Sequence, residues 1–394
     1  MARRSRQSPW TRALQRSIAK MTRNSVAAGL RAGARALKQA QTAALGQAKA
    51  ATAGPGRRVA KGRGRAAALT RPLAAGKPNR SGLVDCVPGV AFAAAGARRY
   101  YLYKPPDLAV SERLPLLVML HGCGQDADAF ALSTRMNRIA ARERFLVLYP
   151  EQDRLANPQQ CWNWYQIRSR RAYGEAAIIR AAIDQVCLLY PVDPVRVGIA
   201  GLSAGAGMAA LVALRYPERF QAVAMHSGVP PGVADSTATA IRAMRGRAPA
   251  PVAAQPDAAT PDAATPDAAT TDAATPWPPL LVIHGSEDRV VSASNAAAAA
   301  RLWASAAGAS GETVRRVQRG ARYPMTIAEF GPRGRIAATL CEIEGLGHAW
   351  SGGDARERFS DARGPDASRL VWNFMSRRFR ATPLRRTRAP RKIG

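Results

Sequence analysis

Three residues of this 394-residue chain have types and neighbours suited to nucleophilic acyl transfer: Ser203, Asp288 and His348. Ser203 stands in Gly201-Leu202-Ser203-Ala204-Gly205, after the run Arg196-Val197-Gly198-Ile199-Ala200 and before an Ala-rich stretch, Ala206 to Tyr216. That pattern predicts a strand, a sharp turn and a helix. The turn lifts the serine hydroxyl clear of the sheet, where a histidine can reach it and a carbonyl can approach. A serine hydroxyl is a weak nucleophile. It needs a base, a carboxylate to orient that base, and donors for the oxyanion that forms. Asp288 follows the strand-like run Leu280-Leu281-Val282-Ile283, and His348 follows Ala338 to Ile343. Each member lies at or just past the C-terminal end of a predicted strand, so all three can meet on one rim of a sheet.

The chain has four histidines. His121 and His284 end buried strands and precede glycine, so they are expected to shape turns. His226 precedes the acid position and is expected to be structural or pocket-lining. His348 alone follows Asp288, in a Gly-flanked loop, and is assigned as the base. Glu287, Asp354 and Asp361 compete with Asp288 for the acid. The backbone N–H of Ala204 is one expected oxyanion donor. The other is that of Cys123 in His121-Gly122-Cys123-Gly124, whose glycines let backbone approach a substrate closely. Trp162 and Trp164 in Cys161-Trp162-Asn163-Trp164, together with Trp350, are candidates for the wall of a substrate cleft. Cys161 could bridge to Cys123, although spacing does not fix connectivity.

Strands alternating with helices must position these residues. Strands are expected at Arg98–Tyr103, Leu114–Leu120, Phe145–Tyr149, the run into Ser203, Phe220–Met225, Leu280–Ile283 and Ala338–Ile343. Two further β-rich segments fall at Thr313–Gln318 and Tyr323–Phe330. Helices are expected at about Ala127–Arg142, Tyr173–Tyr190, Ser292–Ala307 and Ser368–Phe379. Leu114–Leu120 is continuously apolar, as a strand buried on both faces should be. The class is α/β: a doubly wound, mainly parallel sheet with helices on both faces.

Charge divides the chain. Of 58 Lys and Arg, 19 lie in residues 1–80 and 8 in residues 376–394, and neither stretch has an Asp or Glu. The net charge of +31 therefore describes two ends around a nearly balanced middle. Three units are expected: a basic, flexible arm at 1–80, a catalytic domain at 81–378, and a basic tail at 379–394. The basic ends suit an anionic surface or a nucleic acid. Only Trp10 is aromatic in the arm, so no platform for stacking bases is visible. Residues 256–275 repeat Pro-Asp-Ala-Ala-Thr three times and then Thr-Asp-Ala-Ala-Thr. Such a unit has no apolar face, so about 244–278 reads as a low-complexity insertion. No secretory signal peptide or 18-residue apolar run is evident. The expectation is a cytoplasmic, possible granule-associated protein with no transmembrane segment. The five cysteines include no C-x-x-C pair, so no metal and no cofactor is expected. Cys187 and Cys341 read as buried structural thiols.

Several segments together resemble the short-chain polyhydroxybutyrate depolymerase family of esterases, with its feruloyl and acetylxylan esterase relatives. They are Leu117 to Gln125, Leu148 to Gln152, Cys161 to Trp164, Gly201 to Gly205, His284-Gly285 with Asp288, and Gly347 to Gly353. The resemblance covers roughly residues 95–378. It implies an α/β-hydrolase fold, no cofactor, and hydrolysis of carboxylic esters with Ser203, Asp288 and His348 as a catalytic triad. The expected substrate is 3-hydroxybutyrate polymer or oligomers, and the alternative is a feruloyl or acetylated plant ester. A reading of a different class is a non-catalytic protein held on a polyanion or granule by its basic ends.

Overall fold

A ten-stranded sheet runs through the protein in a computed structural model that describes residues 81–381 apart from 110, 252–275 and 333–334. The strands are β1 (Cys86–Ala93), β2 (Gly96–Tyr103), β3 (Leu114–Leu120), β4 (Leu146–Pro150), β5 (Val192–Leu202), β6 (Ala222–His226), β7 (Leu280–Gly285), β8 (Glu312–Val317), β9 (Met325–Phe330) and β10 (Ala338–Ile343). Their order is β1-β2-β4-β3-β5-β6-β7-β10-β9-β8. Neighbours from β4 to β10 across the centre pair in parallel, whereas β1, β2, β9 and β8 pair antiparallel at the two edges. A two-stranded sheet of β11 (Trp350–Ser351) and β12 (Ser360–Asp361) sits apart.

The helices are α1 (Ala127–Thr134), α2 (Met136–Glu143), α3 (Arg171–Leu189), α4 (Ala204–Arg215), α5 (Thr237–Met244), α6 (Ser294–Ala306) and α7 (Ala367–Ala381). All seven residues of β3 are buried. Because side chains alternate along a strand, Leu116, Val118 and Leu120 join α3, α4 and α6 in one core, while Leu117 and Met119 join α1, α2 and α7 in the other. Each such aliphatic side chain contributes roughly 1.5–3 kcal/mol by leaving water. The continuous apolar runs of the sequence are thus the strands covered by helices on both faces.

Several expectations need correction. The helix over 127–142 is two helices, broken at Arg135, which has φ 54°. The break has a use: Arg135 Nη2 donates to the carbonyls of Gly352 and Gly353 at 2.7 and 2.6 Å, tying helix ends to the loop after His348. β1 and α5 are additional elements. β1 has Pro88 and Gly89 in its middle and a mostly exposed face, so it lacks an apolar signal. α5 begins at a capping box of Ser236 and Thr239, in a stretch for which no element is expected from the sequence. The insertion is narrower than 244–278. Met244 ends α5, the Trp277 ring packs 5.0 Å from that of Trp303, and Trp303 Nε1 donates to Pro278 O at 3.0 Å. α7 continues to Ala381. Cys341 is buried, but Cys187 is only half-buried. The arm at 1–80, the repeats at 256–275 and the tail beyond Ala381 lie outside the described residues. No helix among the described residues is long and apolar enough to cross a membrane.

Candidate active site

β5 and α4 meet at Ser203. Its φ is 56° and its ψ −118°, a positive-φ conformation outside the regular regions that costs a non-glycine residue on the order of 1–3 kcal/mol and must be held by its surroundings. Three hydrogen bonds hold it. Ser203 N donates to His226 O at 2.8 Å, and Ser203 O accepts from Ala206 N and Gly207 N at 3.0 and 3.1 Å. Two glycines make the turn sterically possible. A Cβ on Gly201 would strike the backbone of Gly205, and one on Gly205 would strike the carbonyls of Leu120 and His121. The first turn of α4 therefore packs directly on the end of β3, beside the loop from His121 to Gln125.

That loop leaves a backbone donor uncommitted. Gly122 N donates to Gln125 Oε1 at 3.0 Å, Gly124 N to Gln159 O at 2.8 Å, and Gln125 N to Gly122 O at 3.2 Å. Between them, the Cys123 N–H makes no hydrogen bond among the described residues. Ala204 N opens α4, where helix geometry leaves amides without intrahelical acceptors. Cys123 is joined to Cys161 by a disulfide with a Cα–Cα distance of 4.2 Å. The loop carrying Cys161 is anchored in turn by Glu175 of α3, which accepts from Asn163 N at 2.8 Å and Asn163 Nδ2 at 2.6 Å.

Asp288 and His348 are brought together. Asp288 Oδ2 lies 2.8 Å from His348 Nδ1, and the Asp288 side chain is fully buried. Asp288 Oδ1 accepts from Val290 N and Val291 N, both at 2.9 Å. Burial opposes ionisation of this carboxyl. The charge of His348 and hydrogen bonds from His284 and His348 outweigh it and hold the group well below the usual carboxylate range. An ionised Asp288 requires a proton on His348 Nδ1, which leaves Nε2 as the basic nitrogen. The competing acids are engaged elsewhere: Asp354 by Arg356, Asp361 by Arg363, and Glu287 near Arg289. The Ser203 hydroxyl makes no hydrogen bond among the described residues, so two of the three candidates are joined and the third is positioned by the turn. Such contacts often tighten only with substrate present.

His284 has a role that its place before a glycine does not reveal. Its Nε2 lies 3.0 Å from Val291 O and 3.4 Å from Asp288 Oδ2. Both are acceptors, so Nε2 carries the proton, and Nδ1 is left buried without a partner. The only sequence signal was the spacing of four residues between His284 and Asp288. The remaining tautomers follow the same logic. Gln152 N donates to His121 Nε2 at 3.1 Å, so His121 Nδ1 donates to Gly122 O at 2.9 Å. Ser351 N donates to His226 Nε2 at 3.2 Å, so His226 Nδ1 donates to Ser227 Oγ at 3.1 Å.

Complete burial pulls His121 from an ordinary 6.5 down to about 4. Burial, with His284 and His348 nearby, pulls His226 down to about 3. The unfolded chain takes up these protons near 6.5 and the folded chain does not. Stability from the neutral imidazoles is therefore full above about 6.5 and declines as pH falls toward about 4 and about 3. Urea midpoints measured from pH 7.5 to 4.5 should fall, and His121→Gln should lower the proton uptake on unfolding by about one. An unchanged proton uptake in the variant would refute this.

Two of the aromatic candidates for the cleft wall are corrected by burial. Trp162 is 0 % and Trp350 1 % exposed, so neither meets solvent. The Trp162 ring lies 5.6 Å from that of His121. Trp350 stacks on His226 at 5.0 Å, meets Phe130 edge-on at 5.5 Å, and donates from Nε1 to Ser368 Oγ at 3.0 Å. Both support loops from below. Trp164 retains slight exposure and packs over Gly207 in α4, beside the Ser203 turn.

The family profile described as Esterase PHB depolymerase matches residues 98–319. Poly(3-hydroxyalkanoate) depolymerase C of Paucimonas lemoignei is 34% identical over 144 residues, 36% of this chain and 34% of that one. Feruloyl esterase B of Neurospora crassa is 34% identical over 133 residues, 33% of this chain and 44% of that one. The chain thus spans between a third and a half of the length of these curated relatives. The acetyl xylan esterase from Aspergillus awamori superposes with a TM-score of 0.50 at 21% identity, covering 64% of this chain and 89% of that one, which shows a shared fold. With its mainly parallel sheet covered by helices on both faces and the profile matched across more than half its length, this chain belongs to the PHB depolymerase family of esterases.

Proposed function

We propose that the protein is a serine esterase that hydrolyses carboxylic esters through an acyl-Ser203 intermediate, with short-chain 3-hydroxybutyrate polymer or oligomers as substrate. The observation that carries the reading is the Asp288–His348 pair, which fixes the proton on Nδ1 and leaves Nε2 free to act as base. Ser203 Oγ attacks the ester carbonyl carbon and gives its proton to His348 Nε2. The carbonyl oxygen becomes an oxyanion, facing the N–H groups of Cys123 and Ala204. Collapse expels the alcohol, which takes the proton from Nε2. Water then attacks the acyl group, again passing a proton to Nε2, and the second collapse returns Ser203 and the acid. Ionised Asp288 stabilises the imidazolium in both steps. No cofactor enters this scheme.

The hydroxyalkanoate substrate rests on the similarity to the Paucimonas depolymerase. The feruloyl and acetylxylan alternative rests on equal identity to the Neurospora enzyme. Attachment of the basic ends to an anionic surface or nucleic acid remains a proposal from composition alone. The test is a substrate panel: p-nitrophenyl esters from acetate to dodecanoate, methyl ferulate, acetylated xylan and 3-hydroxybutyrate trimer. We expect kcat/KM for the trimer to exceed that for methyl ferulate by at least about tenfold, a discrimination worth about 1.4 kcal/mol in the transition state. The reverse ranking would transfer the assignment to the aromatic or acetyl esters.

A further inference from the structure

α7 covers the sheet as far as β7 and leaves the same face of β10, β9 and β8 partly open. A cavity of about 550 Å³ lies there, walled on its other side by α7. Strand register builds its floor. Val317 pairs with Met325, and Ile327 pairs with both Arg315 and Cys341, so these side chains share one face. The floor is apolar, completed by Leu281, Leu370 and Phe374. The rim is not: Arg315, Arg319, Arg322, Arg369, Arg377 and Arg378 line it against only Glu329 and Asp366.

Two acids face six guanidinium groups, and one of them, Asp366, accepts from the backbone N–H of Arg369 at 3.0 Å. Glu329 is engaged by Arg315 at 3.1 Å. Arg322 and Arg369 are turned to the carbonyls of Ala362 and Gly364 and to Glu143. The guanidinium groups of Arg319 and Arg377 form no ion pair among the described residues, and both side chains are exposed. Burial, and then the charge of Arg377, lower the pKa of Arg378. Burial pushes the Cys341 thiol up to about 12, so it stays neutral and adds no counter-charge. None of the lining residues belongs to the candidate active site.

We propose that this pocket is a separate binding site for a small amphiphilic anion, an aliphatic chain carrying a carboxylate or phosphate head. The apolar floor takes the chain, and the guanidinium forks of Arg319 and Arg377 take the head, a pairing whose geometry is bidentate. The volume falls in the range of about 300–1,000 Å³ usual for small-molecule sites. The site stands independently of the proposed esterase reaction.

The test is calorimetric titration of the full chain with octanoate, octyl phosphate, octanol and inorganic phosphate. Saturable one-to-one binding of octanoate or octyl phosphate is expected, and which of them binds tighter identifies the head group. Octanol and inorganic phosphate should each bind at least about tenfold more weakly, because each lacks one half of the recognition. The paired variant Arg319→Glu/Arg377→Glu should weaken binding by at least about tenfold, and Arg319→Ala/Arg377→Ala by a similar factor. Turnover of p-nitrophenyl butyrate should be unchanged in both. Arg154→Glu/Arg301→Glu, with the same change in net charge at exposed sites elsewhere, should leave binding intact. Absence of saturable binding, equal binding of inorganic phosphate, or equal weakening in the control pair would overturn the assignment.

Discussion

Ser203→Ala is expected to lower kcat for p-nitrophenyl butyrate by about 10⁶-fold, while leaving the urea unfolding midpoint close to that of the parent. The size follows from the role. Without Oγ there is no atom to carry the acyl group, and His348 Nε2 has no hydroxyl proton to accept. What remains is binding and the two backbone donors, which in serine hydrolases retain a rate about 10³–10⁴ above that of water. The fold should tolerate the change, because the elbow is held by backbone hydrogen bonds and by the close approach of Gly201 and Gly205. Alanine also occupies the positive φ of 56° no less readily than serine does. A loss below about tenfold would remove Ser203 from the reaction.

Asp288→Asn is expected to lower kcat by about 10⁴-fold, through a proton placed on the wrong nitrogen. The Asp288 carboxylate accepts at both oxygens: two backbone N–H groups at Oδ1, and His348 Nδ1 with His284 Nε2 at Oδ2. An asparagine that keeps its oxygen on the backbone amides must present its NH₂ to both histidines. His348 Nδ1 then becomes an acceptor and its proton moves to Nε2, where the base is required. His284 Nε2–H keeps Val291 O but faces a donor in place of Oδ2. The measurement is kcat as a function of pH, with the urea midpoint as a control for folding. Retention of more than about a tenth of the parental rate would show that another group orients the base.

The parts of the molecule legible in the sequence are those where one local signal suffices. β3 and β7 read correctly because a run of apolar residues buried on both faces leaves few alternatives. The strand-turn-helix around Ser203 reads from five residues because the constraint on Gly201 lies within the turn, although the one on Gly205 comes from the end of β3. Other features depend on contacts distant in the chain. The break at Arg135 is tied to carbonyls 217 and 218 residues away. Trp350 looks like a cleft aromatic beside His348, yet its ring is enclosed by His226 and Phe130 and its N–H by Ser368. His284 reads as a turn residue until the fold places its Nε2 against Asp288. The disulfide between Cys123 and Cys161 bears on the expectation of a cytoplasmic protein, since such bonds persist mainly in oxidising compartments.

If Ser203 is the covalent nucleophile, diethyl 4-nitrophenyl phosphate should mark it. This reagent phosphorylates an activated serine and releases 4-nitrophenolate. One diethylphosphoryl group per chain is expected by intact mass, on the peptide containing Ser203. Esterase activity should be lost in step, and neither Ser203→Ala nor His348→Ala should be labelled. Full inactivation with the label on another residue, or stable activity with Ser203 labelled, would contradict that role for Ser203.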